Sequence, residues 1–405
     1  MTDKFMKSIT FVEGGDAYYP LPKVTNADDG KVLKVVNGEW SATDLIPLHS
    51  YLSFIGNEDF TLKTYNTPVN CDGTLEYSTD TKTWNAWNGT EISSAGRKLY
   101  LRGTRNTKIT GEYLRFRFVF TGTNALKIAC EGNIENLLDY ATVRSGGHPT
   151  MGTSCYQSMF YNCTALTTAP ELPATTLAAD CYQSMFSGCT SLTSAPTLPA
   201  TTLANSCYSG MFSNCTSLTS APALPATTLA TNCYDSMFYG CKALATVPAL
   251  PATTLADSCY SGMFQGCKAL TTVPALPATT LTNNCYQSMF YGCVSLTTAP
   301  SLPATTLTDS CYRSMFANCT SLTTVPALPA TTLAASCYRS MFQYCKSIKL
   351  STTKTGEYQT PYRIPTTGTG TTATDALTDM FYRTGGSVTE TPKINTTYYT
   401  SNTVV

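Results

Sequence analysis

The sequence predicts an α/β solenoid of 26-residue repeats, preceded by a small all-β domain and an N-terminal β-hairpin segment. Three observations predict it. The unit CYQSMFYNCTALTTAPELPATTLAAD, Cys155 to Asp180, restarts at Cys181, Cys207, Cys233, Cys259, Cys285 and Cys311 without insertion or deletion, and an eighth copy from Cys337 fades after Leu350. A fixed period between about 20 and 50 residues marks a stacked repeat architecture. Upstream, short aromatic and β-branched runs alternate with Gly-containing turns. Nearer the N-terminus lies the string DDGKVLKVVNGEW. The expected divisions are residues 1–50, 51–140, 141–350 with repeats from 155, and 351–405.

Residues 1–50 contain the hairpin. Asp29-Gly30 is a turn signal, Lys31 to Val36 a strand, Asn37-Gly38 a two-residue turn, and Glu39-Trp40 opens the return strand. A segment this short has little core of its own, so a partner chain or a larger surface is expected to hold it.

Residues 51–140 read as a small sandwich or barrel. Strand candidates are Tyr51 to Ile55, Thr61 to Tyr65, Leu75 to Ser78, Lys98 to Arg102 and Tyr113 to Phe120. Trp84 and Trp87 flank a turn. An exposed pair could stack on a sugar ring; a core or edge contact is the preferred reading. Gly132 to Tyr140 reads as a helix that covers the first repeat.

Within a repeat, with the first Cys as position 1, Leu177, Cys181, Met185 and Cys189 follow at four-residue intervals. That spacing predicts one stripe of a helix, capped by Thr175 or Thr176, with Asp180, Gln183 and Ser187 facing solvent. Leu166 to Leu172 predicts a strand of about 3–5 residues that ends near Pro170. Strand, turn and helix stacked eight times give a parallel ladder on one side and helices on the other.

Sixteen of the 18 cysteines belong to the repeats; Cys71 and Cys130 lie upstream. Two Cys eight apart on a helix lie about 12 Å apart, and equivalent Cys on packed helices about 8–10 Å apart. Both exceed the reach of a disulfide, about 7 Å. Buried reduced thiols are therefore expected, with no metal and no cofactor. After a Gly-, Thr- and Pro-rich stretch, Ala376 to Phe381 echoes the repeat without its cysteines and reads as a terminal cap, and Ile394 to Val405 as a closing strand.

The formal charge is zero and 13% of residues are charged, so nothing draws the chain to nucleic acid. There is no apolar run long enough to insert in a membrane, and the N-terminal residues carry no secretory h-region. Only two histidines occur, His49 and His148, neither beside a nucleophile motif. Repetition also disfavours the single unequal constellation that catalysis needs, so no enzyme is expected. The binding candidates are the position-2 tyrosines, Tyr156, Tyr182, Tyr208, Tyr234, Tyr260, Tyr286, Tyr312 and Tyr338. On a helix they would edge the apolar arc. They either show a rim of phenols to a repeating glycan or pack on Phe and the next repeat, the second being preferred.

The M-F-x-x-C-x-S-L-T core resembles the BspA-like leucine-rich repeats of bacterial surface proteins. With P-x-L-P-A-T-T-L-A it resembles a variant abundant in gut bacteria and their bacteriophages. The strings LEYSTDTKTW, LYLRGT and EGNIENLLDY resemble a domain found just before such repeats. The motif carried by Asp29, Gly30, Val32, Val35, Asn37, Gly38 and Trp40 resembles one near the N-termini of phage fibres. What these resemblances imply is a leucine-rich-repeat solenoid on a non-enzymatic head or tail fibre, made in the host cytoplasm. The N-terminal segment would attach it to capsid or tail proteins as a dimer or trimer, and the repeats would adhere to surface glycans or proteins. An exported bacterial cell-surface adhesin is the alternative.

Overall fold

The computed structural model describes residues 32–36, 39–43, 51–65, 71–110, 117–364, 373–393 and 396–405. The chain divides into two compact units, Met1–Ser50 and Tyr51–Val405. In the first, β1 (Val32–Val36) pairs antiparallel with β2 (Glu39–Thr43). Val36 lies opposite Glu39 and Val35 opposite Trp40, the register of a two-residue loop. The turn residues Asp29, Gly30, Asn37 and Gly38 lie outside the described residues.

The second unit begins with two facing sheets. Its strands are β3 (Leu52–Gly56), β4 (Thr61–Thr64), β5 (Thr74–Ser78), β6 (Asn85–Ala86), β7 (Ile92–Ser93), β8 (Lys98–Thr104), β9 (Phe118–Thr121) and β10 (Ile128–Glu131). One sheet runs β11-β10-β3-β8-β5-β6, where β11 (Leu166–Thr168) already belongs to the first repeat; the other runs β7-β4-β9. Phe54 of the larger sheet meets Phe118 and Phe120 of the smaller one edge-on, with centroids 5.6 and 5.1 Å apart. Phe54 and Phe118 are buried and Phe120 half-buried; each of the two buried rings removes enough apolar surface from water to stabilise by about 2–3 kcal/mol. β10 pairs parallel with β11, so the β domain runs into the repeats without a linker. Of the expected strands, Tyr113 to Phe120 is described only from residue 117, and β9 begins one residue later at Phe118.

The repeats contain no helix, which corrects the expected helical layer. Among the described residues the α-helix is α1 (Asn136–Arg144), just before the repeats and interrupted at Asp139, where φ is −154°. In place of helices, each copy folds into overlapping turns. The N–H groups of Gln157, Met159, Tyr161 and Cys163 each donate to the carbonyl three residues back. The N–H groups between them point elsewhere: Ser154, Tyr156, Ser158, Phe160 and Asn162 donate to Ala179, Cys181, Gln183, Met185 and Ser187 of the next copy. The same five bonds recur at every junction through Tyr344, so alternate backbone groups close turns and join copies, and none of these donors is left over.

The turns require left-handed backbone at every fourth residue. Ser154, Ser158 and Asn162 have φ of 57°, 58° and 58°, and the equivalent residues in later copies repeat this. For L-residues that costs about 1 kcal/mol each. Five inter-copy hydrogen bonds at about 1 kcal/mol each, with the buried rings, offset it. The sequence supplies Ser, Asn, Asp or Gly at nearly all of these positions, the residue types that visit this region most readily.

The Leu-Thr segment makes a thin parallel ladder. Beyond β11 and β12 (Thr324–Val325) it adds the isolated bridge Ser220↔Thr246, and the later Thr-Thr segment contributes Thr176↔Thr202 and Thr228↔Thr254. Thr175, expected as a helix cap, accepts from the Thr201 and Thr202 amides through its carbonyl. At the far end come β13 (Leu350–Ser351), β14 (Thr360–Arg363), β15 (Thr397–Thr400) and β16 (Thr403–Val404). β15 joins β13 and β14, and β16 pairs parallel with β12.

Both ends of the repeat stack carry an imitation of a repeat. At the start, the Phe118 N–H donates to Met159 and the Ile109 and Thr110 N–H groups to Cys155, as a preceding copy would. At the finish, the carbonyls of Thr374, Ala376, Thr378, Met380 and Tyr382 receive the five donors of the last copy. Phe381 continues the Phe column, 5.5 Å from Phe342.

Candidate binding surface

Four-residue periodicity sorts side chains two in and two out. Positions 1, 2, 5, 6, 9 and 12 point inward. Cys, Tyr, Met and Phe at positions 1, 2, 5 and 6 are 0–1% exposed in every copy. Successive Phe rings stack with centroids 5.3–5.9 Å apart from Phe160 to Phe381.

The eight tyrosines, weighed as a binding rim with packing preferred, are a second such packed column. Tyr156, Tyr182, Tyr208, Tyr234, Tyr260, Tyr286, Tyr312 and Tyr338 stack at 5.6–5.9 Å. They do not form an exposed edge. On a helix, position 2 would sit 100° from position 1; in these turns adjacent residues 1 and 2 share the inward side. Burial pushes the phenols well above their ordinary pKa. Tyr156 Oη donates to the Ile134 carbonyl at 3.3 Å.

All 18 cysteines are free thiols, and only Cys71 is not buried. The distances expected between them assumed helices. Neighbouring copies joined by backbone hydrogen bonds lie about 4.8 Å apart, closer than packed helices. The position-9 thiols are engaged differently: Cys189, Cys215 and Cys241 donate to the Phe carbonyl of the preceding copy at 3.0–3.1 Å. Burial pushes Cys207, Cys259 and Cys293 up to about 12. Among the described residues no group of three or more His, Cys, Asp or Glu is placed to hold a metal ion.

On the β domain, Trp87 is core and donates through its indole N–H to the Thr90 carbonyl. Trp84 is partly exposed. Its face carries the Arg102 guanidinium at 4.1 Å, which Tyr140 covers from another side at 4.4 Å while Glu76 accepts from Nε at 2.7 Å. The two tryptophans thus do not pair as a sugar platform. His148 Nδ1 lies 2.8 Å from the Glu135 carboxylate, which is 1% exposed. Burial raises the Glu135 pKa, while His148 and Asn133 pull it back, and burial prevails.

On the turn half of each rung, the side chains open to a partner come from positions 3, 4, 7, 8 and 10, apart from the buried Ser158, Ser187, Ala317 and Ser340; the second half adds exposed threonines such as Thr175 and Thr176. Tyr161, Tyr239 and Tyr291 occupy position 7, and Tyr382 its equivalent in the terminal rung; Tyr239 is 40% exposed. Sequence reasoning passed over this column because it is variable. The signal was a Tyr recurring among Ser and Gln at one outward position. Of the residues assigned to attachment, Val32, Val35 and Trp40 lie in the paired strands β1 and β2.

The repeating pattern of paired inward residues, Cys-Tyr, Met-Phe, then Cys and Leu, runs through eight copies, with Ile348 in place of Leu in the last. Residues 148–263 and 231–358 match the family described as BspA type Leucine rich repeat region, in six copies, and together span more than half of the 405 residues. The chain belongs to this family. No curated protein and no solved structure matches it. BspA-type repeats fit an adhesin-type surface protein. No helix among the described residues is long and apolar enough to cross a membrane.

Proposed function

We propose that this BspA-type chain is a non-enzymatic adhesive protein of a bacteriophage virion. Residues 51–405 form a rigid arm that binds surface glycans or proteins, and residues 1–50 attach it to capsid or tail proteins as a head or tail fibre. The carrying observation is the division of labour within each copy. Every inward group is spent on packing or on joining copies, which leaves the outer side chains as the only part of a copy to meet a partner. The sequence motif around β1 and β2 supports the attachment role, and the two strands pair in a hairpin register. Fibres are symmetric assemblies, so a homodimer or homotrimer is expected. The family match fits an adhesin-type protein without separating this reading from a second, an exported bacterial cell-surface adhesin.

The test is electron microscopy of purified phage particles labelled with an antibody against residues 155–350. Label at the capsid or the tail supports the virion reading and assigns its place. Bare particles beside labelled bacterial cells would overturn it in favour of the cell-surface reading.

A further inference from the structure

The outer corner of each rung is built by positions 7, 8 and 10, between the inward Phe, Cys and Leu of positions 6, 9 and 12. Its aromatic and charged residues are sorted. Tyr161, Tyr239, Tyr291 and Tyr382 stand at position 7, all at least partly exposed. Lys242, Lys268 and Lys346 stand at position 10 and Arg383 at position 8 of the terminal rung, all exposed. The β domain extends the same edge. The Arg117 guanidinium lies 4.3 Å from the Tyr65 ring and 5.8 Å from the Tyr161 ring, and Lys127 Nζ donates to Ser191 Oγ, at position 11, at 2.8 Å.

No Asp or Glu occupies positions 7 to 12 in any of the eight copies. The acids of the repeats, such as Asp180, Asp235, Asp257 and Asp309, lie at positions 25, 26 and 3. A chain with no net charge therefore carries a corner of one sign, where four cations of the rungs and two of the β domain are interspersed with four position-7 tyrosines. One-sign surfaces concentrate the opposite charge.

We infer that this corner binds a linear anionic polysaccharide, one bearing carboxylates or sulfates. The inference deepens the adhesive reading and rests on it. A tyrosine face packs against the C–H face of a pyranose ring, as amphipathic rings do at wet interfaces. Lys and Arg supply charge-assisted bonds to the acid groups. Rungs lie about 4.8 Å apart, so Tyr239 and Tyr291, two rungs apart, are separated by about 10 Å. That is close to the length of two sugars in an extended chain. A single-stranded nucleic acid would meet too little charge: six cations are spread along the whole stack, whereas such sites track every phosphate with a basic groove.

The repeats themselves provide substitutions compatible with the fold. Position 7 is Ser in Ser187 and Ser213, and position 10 is Thr in Thr190 and Thr216. The variant Tyr239→Ser/Tyr291→Ser/Lys242→Thr/Lys268→Thr therefore copies sister rungs. Full-length protein and variant are titrated with alginate, hyaluronate, neutral dextran and a thymidine oligonucleotide, at low and high salt. Alginate or hyaluronate should bind the parent at least tenfold more tightly than dextran does, weaken with salt, and lose at least tenfold in the variant. Equal binding of dextran, tighter binding of the oligonucleotide, or a variant that binds like the parent each overturns the inference. Adhesion to intact cells is measured in parallel. A variant that adheres like the parent leaves the adhesive function standing while this edge falls; a parent that adheres to no surface removes the adhesive function itself.

Discussion

The Phe160 N–H donates to the Met185 carbonyl of the next copy at 2.9 Å, and the Cys189 thiol of that copy donates back to the Phe160 carbonyl at 3.0 Å. One residue is thus held to its successor through both of its backbone polar groups. The arrangement recurs at each junction from Phe160 to Phe316. It makes the stack a backbone assembly first and a side-chain assembly second.

The left-handed positions test this. Ser236 has φ of 53°, and its neighbours in the column are Gly210 and Gly262. Ser236→Gly should change stability by no more than about 0.5 kcal/mol, since the relieved strain and the added unfolded-state freedom nearly cancel. Ser236→Val should cost about 2 kcal/mol or more, because a β-branched residue tolerates this region poorly. Urea unfolding of the two variants separates them; equal stabilities would contradict the turn geometry.

The tyrosine column holds two kinds of hydroxyl. Tyr156 Oη donates to Ile134, whereas the buried Tyr182 Oη meets no protein acceptor among the described residues. Tyr156→Phe should cost about 1 kcal/mol, and Tyr182→Phe should be neutral or stabilising. Thermal unfolding of both variants reads the difference.

Thiol titration distinguishes packing from chemistry. Seventeen thiols are buried and several are pushed up to about 12, so few are thiolate at neutral pH. In native protein Cys71 should react with a thiol reagent first, with the rest silent until unfolding exposes all 18. Rapid native reaction of many thiols would show that the columns are open.

Glu135 predicts a pH dependence. Its folded pKa is raised by burial, against the pull of His148 and Asn133. The folded state therefore holds the proton more tightly than the unfolded chain does. This contribution to stability is complete below the ordinary carboxyl value and is lost as pH rises through the folded value. Glu135→Gln should flatten the fall in Tm above about pH 4 that this group causes. An unchanged profile would show that the carboxylate does not couple to folding.

The repeat period, the inward residues and the hairpin were legible in the sequence; the conformation of the repeat was not. Leu177, Cys181, Met185 and Cys189 recur every four residues, and a true helical stripe drifts by about 40° at each such step. Over four steps the stripe leaves its face, so an unvarying interval of four favours a coil that returns every fourth residue. The second signal was the column of Ser158, Ser184, Gly210, Ser236 and Gly262, with Asn162, Gly188, Asn214 and Gly240 four residues on. Ser, Asn and Gly exchanging at fixed four-residue spacing marks backbone with φ above zero, not a solvated helix face. Misreading that column put Tyr182 at the edge of a helical arc, where a rim stayed open as an alternative to the preferred packing, and set the cysteines too far apart. Tyr239 at position 7 stayed hidden for the opposite reason, because variability was taken as absence of role.

The five donors of each rung all point toward the C-terminal end, and the acceptors toward the N-terminal end. An uncapped stack would therefore be a half-finished bond at each end, donors at one and acceptors at the other. Two bare copies could join only head to tail, a heterologous contact that does not close and grows into filaments. The Phe118 N–H on Met159 at one end, and Thr391 Oγ1 receiving the Asp379 N–H at 2.9 Å at the other, occupy those ends. The degenerate sequences flanking the repeats are thus what keeps the arm finite.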